Sequence, residues 1–193
     1  MSVRRPAATA VLTLLIAIPV GVQVAGVATH AQLVDALAVT WDDLAAGEVW
    51  RLATNPLVQD ADGVPWAILA LLPLVPAAEW RLGTARTLAV FFGADLISTL
   101  PVLAVVHPGT PNGGSSAGLA GLAGALVATA PPSRRRDRAA LALAAVLVAA
   151  AVVDWELAAV QHLVGALAGA AIGRARLTGR VPRARGRRAR PAA

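Results

Sequence analysis

Two residue types that can do chemistry together stand out in an otherwise apolar chain: serine at 115 and 116, and histidine at 162. The serines open the stretch Asn112-Gly113-Gly114-Ser115-Ser116-Ala117-Gly118-Leu119-Ala120-Gly121-Leu122-Ala123-Gly124-Ala125, a glycine turn followed by small residues at three- and four-residue spacing. The histidine lies in Val160-Gln161-His162-Leu163-Val164-Gly165-Ala166-Leu167-Ala168-Gly169, a second small-residue segment. A hydroxyl beside an imidazole is the minimal nucleophile–base pair: the ring takes the hydroxyl proton and later gives it to a leaving amine. A helix starting at Ser116 adds backbone N–H groups without intrahelical partners, which can stabilise an oxyanion. Taken singly, the two serines suit helix capping and close packing better than catalysis. His162 alone equally suits an interhelical hydrogen bond.

The elements that must position these residues are membrane helices. Of the 193 residues 57% are hydrophobic and only 15% charged, against about 45–50% and 25% in soluble domains; mean hydropathy is +0.66. In water each glycine of the serine segment would weaken a helix by about 1 kcal/mol relative to alanine. In lipid the same glycines let two backbones pack closely. There is no cysteine, hence no disulfide framework or thiolate site. His30, His107 and His162 are scattered, with no spacing that suggests a metal site and no phosphate-binding loop. All 17 basic residues are arginine, which together with the alanine and glycine load hints at a bacterial source.

Six spans are expected, forming an all-α polytopic bundle over residues 1–173. The first runs from Ala7 to about Ala28; a signal peptide competes, but the run exceeds the usual core of ~7–15 residues and can cross a bilayer. Leu33, Val34, Leu37, Trp41 and Leu44 recur at helical spacing opposite Asp35, Asp42 and Asp43, as in an interfacial amphipathic segment. Trp66–Ala78 reads as a short second span broken by Pro65, Pro73 and Pro76, with Glu79-Trp80-Arg81-Leu82-Gly83 as a polar turn. The third span is Thr87–Val106 with Asp95 near its middle, the fourth about Ser115–Ala130, the fifth Ala139–Val153 and the sixth Leu157–Gly173. The tail, 174–193, holds eight arginines with glycines and prolines and reads as disordered.

On six spans every arginine but Arg51 falls on one side, opposite most of the acids, so the positive-inside rule places both termini in the cytoplasm. The basic tail suits anionic lipid headgroups better than nucleic acid. At ~1.5 Å per residue, Ser116 lies about 27 Å above Arg134 and His162 about 18 Å above Arg174. Both fall in the outer half of a bilayer whose hydrocarbon core is ~30 Å thick. A recessed, water-filled pocket between them is expected.

In their order and sidedness these motifs resemble the rhomboid intramembrane serine proteases from Gly47 to Gly173. Trp50-Arg51 resembles the tryptophan–arginine pair of the first rhomboid loop, and Glu79-Trp80-Arg81-Leu82-Gly83 the turn after the second helix. Gly114-Ser115-Ser116-Ala117, with Gly121 and Gly124, is similar to the nucleophile motif; His162 with Gly165 and Gly169 is similar to the base-bearing sixth helix. The resemblance implies that Ser116 is the nucleophile and His162 the general base, acting without cofactor or metal. Cleavage of single-span membrane proteins near the outer face of the plasma (inner) membrane would follow. The sequence departs from the family in lacking the His and Asn of the second helix that donate to the oxyanion: no His or Asn occurs from Gly63 to Ala78. Ala120 stands where an aromatic is common, and Ala117 where glycine is. Asn112 or His107 can substitute as oxyanion donors if their loop folds inward. The alternative is an inactive rhomboid-like protein that binds transmembrane client segments; a small transporter fits less well, since no inverted repeat is visible.

Overall fold

The computed structural model describes residues 6–59, 64–135, 137–139, 142–143 and 157–175. Its regular elements are helices: α1 (Ala7–Val24), α2 (His30–Leu37), α3 (Trp41–Ala45), α4 (Arg51–Thr54), a 3-10 turn (Asn55–Leu57), α5 (Val64–Leu82), α6 (Thr84–Leu103), α7 (Ser116–Thr129) and α8 (Leu157–Arg174). α1, α6 and α8 are long and apolar enough to cross a membrane, while α7 is apolar but only 14 residues long. The expected fifth span over 139–153 and the turn at 154–156 lie almost wholly outside the described residues, as does the tail beyond Ala175.

Three expectations are corrected. The second span is not short or broken: α5 runs unbroken through Pro73, Pro76 and Glu79. A proline removes one N–H and crowds one carbonyl, and neighbouring helices in a membrane bundle absorb that loss. The polar turn therefore shrinks to Gly83, whose φ of 82° stops α5, and α6 starts three residues earlier than expected. The amphipathic stretch resolves into two helices. Thr29 caps α2 with Gln32, Thr40 caps α3 with Asp43, both in reciprocal capping boxes. Between them Val39 pairs in antiparallel fashion with Asn112.

α7 is the central helix. Leu119 and Leu122 pack with Leu12 and Ile16 of α1, Leu71 and Val75 of α5, and Val90 and Phe91 of α6. Against α8 the approach is closer still. A Cβ added at Gly165 would sit 2.7 Å from the Ala117 carbonyl oxygen, and one at Gly173 2.9 Å from Ala125 Cβ. At Gly124 and Gly169 it would fall on the backbones of Ala166 and Gly121. α7 and α8 thus run parallel with main chain against main chain, as small residues permit in lipid. α1 is fastened at its start by Glu79, whose carboxylate accepts from the backbone N–H groups of Ala8 (2.7 Å) and Thr9 (2.8 Å) and from the hydroxyls of Thr9 and Thr84. A residue of α5 thereby caps α1, which has no capping side chain of its own.

Candidate active site

Ser116 is the first residue of α7 and His162 lies in the second turn of α8. Equal lengths of helix separate Ser116 from Ala128 and His162 from Arg174, and Arg174 Nε donates to the Ala128 carbonyl at 3.2 Å. The glycine contacts fix the same register from within. The outcome is a separation of 2.7 Å between Ser116 Oγ and His162 Nε2, at which the hydroxyl can pass its proton to the ring. Both line a cavity of about 1160 Å³, with Gln59, Leu119 and Ala120 among its other walls.

The turn before Ser116 is held on several sides. Gly114, at φ 122°, donates its N–H to the Asn55 carbonyl (2.9 Å). Val39 and Asn112 exchange backbone hydrogen bonds of 3.0 and 2.8 Å, and Trp41 N–H donates to Pro108 O (3.0 Å). Ser115, 0% exposed, donates to Gln59 Oε1 at 3.3 Å. Asn112 folds inward, yet its amide is engaged with Gln161 (Nδ2 to Oε1, 3.2 Å) and faces Thr99 Oγ1. His107 stays exposed on its loop, where Nδ1 accepts from Gly109 N–H at 3.3 Å. The structure therefore brings Ser116 and His162 together, and engages the polar atoms of Asn112 and the Nδ1 of His107 elsewhere.

Sequence reasoning did not single out Asn55, Gln59, Thr99 or Gln161. Gln161 Nε2 donates to Thr99 Oγ1 (3.0 Å) and to Asn112 Oδ1 (3.3 Å), bracing α8 against α6 one residue from His162. With the Asn55 amide turned so that its nitrogen donates to Leu52 O (3.0 Å) and Asp95 Oδ2 (3.1 Å), Asp95 joins the same buried network. Asp95 faces the bundle at 1% exposure, and among the described residues its Oδ1 has no partner. The available signal was chemical: uncharged amides amid apolar sequence.

Arg51 holds the loop together. It donates to the carbonyls of Asp35 (2.6 Å) and Ala38 (3.0 Å), pairs with Glu48 and Asp43, and lies 4.9 Å over the Trp50 ring. The Glu48 hydrogen bond leads in raising its already high pKa. For Asp43, partial desolvation pushes the carboxyl up, but the Thr40 hydroxyl and N–H together with Arg51 outweigh it and hold the pKa below 3.8. No group of three or more His, Asp or Glu side chains among the described residues is arranged to hold a metal ion.

A family model described as Rhomboid domain matches residues 46–178, a stretch that contains Trp50, Arg51, the whole of α5 to α8 and both members of the Ser116–His162 pair. The chain belongs to the rhomboid family. Many rhomboids are serine proteases, and the domain makes this chain a polytopic membrane protein. Comparison with curated proteins and with solved structures returns no match. Within this rhomboid domain, α5 carries no His or Asn.

Proposed function

We propose that this rhomboid is an intramembrane serine protease that cleaves single-span membrane proteins with Ser116 and His162 as its dyad. The observation that carries the reading is the 2.7 Å contact between Oγ and Nε2 at the wall of a large cavity. In the first step the Oγ–C bond forms, the carbonyl pair moves onto oxygen and the Ser116 proton passes to His162 Nε2. First-turn N–H groups of α7 have no partner within the helix and face the developing charge. The C–N bond then breaks as His162 returns the proton to the leaving amine. Water, deprotonated by the same ring, releases the new carboxyl and frees Ser116. No step calls on a metal or cofactor.

The full arrangement is six spans over 1–173 with both termini cytoplasmic and the dyad toward the outer face of the plasma (inner) membrane. Arg81, Arg86 and Arg174 gather near the Thr129 end of α7, while Asp42 and Asp43 lie by the loops at the Ser116 end, which supports that orientation. The tail, 174–193, contacts anionic lipid headgroups. A second reading, a rhomboid that binds transmembrane clients without cutting them, draws on the missing α5 donors, since one lost oxyanion donor lowers the rate by about 10²–10³. Fluorophosphonate labelling of the full chain in liposomes decides between them. Labelling that disappears in Ser116→Ala and in His162→Ala but persists in Ser115→Ala supports the protease; an intact wild-type protein that takes no label supports the client-binding reading.

A further inference from the structure

We infer that Gln59 supplies the side-chain oxyanion donor of this site, held in place by the Ser115 hydroxyl. The inference rests on the Ser116–His162 protease reading and assigns the donor that α5 lacks. Gln59 is only 7% exposed yet lines the cavity that contains Ser116 and His162. Its two polar atoms are fixed from separate elements. Oε1 accepts from Ser115 Oγ at 3.3 Å, and Nε2 donates one hydrogen to Pro56 O at 3.0 Å. An amide nitrogen carries two hydrogens, so these bonds leave one N–H unused.

The backbone brings the Gln59 segment against the turn that carries the reacting hydroxyl. A Cβ built on Gly114 would be 3.8 Å from Ser116 Oγ and 4.0 Å from the carbonyl oxygen of Val58, the residue before Gln59. Val58 Cβ in turn lies 3.4 Å from the corresponding point at Gly113. The Asn55–Gln59 segment is thus pressed against the turn that presents Ser116. Its last residue reaches the cavity from the wall next to the first turn of α7.

The chemistry follows from that place. As the Oγ–C bond forms and the carbonyl pair moves onto oxygen, the free Nε2–H of Gln59 donates to that oxygen alongside the α7 backbone. When the C–N bond breaks, the pair returns to re-form the carbonyl and the hydrogen bond weakens. A donor of this kind acts on the transition state and hardly on bound substrate. Ser115 touches no reacting atom; it is a positioning residue that keeps the Gln59 oxygen turned inward and the nitrogen free.

The test is the rate of fluorophosphonate labelling of the full chain in liposomes, resolved into its maximal rate and half-saturating concentration. Gln59→Leu is expected to lower the maximal rate about 10²-fold with the half-saturating concentration and the midpoint of the pH profile unchanged. Gln59→Glu, of the same size but acceptor-only when ionised, lowers it further, and Ser115→Ala lowers it less than either. Wild-type rates in Gln59→Leu and Gln59→Glu overturn the inference and leave the protease reading standing. So does a rate loss that tracks a lowered melting temperature or a shifted pH midpoint, since both betray a structural role. Absence of wild-type labelling overturns both.

Discussion

Ser116 and His162 act as one unit, so their losses do not add. Ser116→Ala, His162→Ala and the double variant should each lower labelling by at least about 10³-fold, the double no more than the singles. Only a neutral imidazole can take the hydroxyl proton. The labelling rate of the wild-type chain therefore rises with pH as the ring loses its proton and levels off once it is neutral. A rate that does not fall on acidification would remove His162 from that role. Asp43 titrates in a different place. Its folded pKa lies below the ordinary value of 3.8, so its contribution to the loop is complete above that value and is lost as pH falls through the lower, folded one. Proteolytic nicking between α2 and α4 should thus increase only in strong acid, and Asp43→Asn should abolish that acid step.

At the scale of helices, the α7–α8 contact governs whether the dyad exists. Gly169→Val places carbon atoms on the Gly121 backbone, where no side chain can move aside. It should destabilise the protein at the upper end of about 1–3 kcal/mol and abolish labelling. Gly93→Ala meets only the flexible end of Ile172 at 3.0 Å, and Gly21→Ala meets nothing within 4 Å. The first should be tolerated, the second should raise stability by about 0.5–1 kcal/mol; thermal melts in detergent report all three. This contact was legible beforehand, because Gly165, Gly169 and Gly173 recur every four residues and the arginine anchors set depth. The course of α5 was not: Pro73 and Pro76 read as breaks under rules learned in water. Nor was the loop legible as two helices, although Thr29-x-x-Gln32 and Thr40-x-x-Asp43 spell both caps. Gln59 and Gln161 escaped notice for another reason. A single amide has no periodicity, and only folding brings it to Ser115 or to Thr99.

For the molecule as a whole, sidedness is the open physical consequence of the charge pattern. The native chain lacks cysteine, so single cysteines report directly. One replacing Ser2 or Ala193 should react with an impermeant maleimide only from the cytoplasmic side of the membrane, one replacing Asp42 only from the opposite side. Reaction of the Ser2 and Ala193 replacements from opposite sides would refute an even number of spans.

The parallel α7–α8 pair has a final bearing on heat. Carbonyls seated on glycines leave no side chain between the two backbones, so the register that carries Ser116 and His162 has no soft mode of its own to lose on warming. Whatever turnover the protein has should survive to its melting point and vanish with the bundle, not before it.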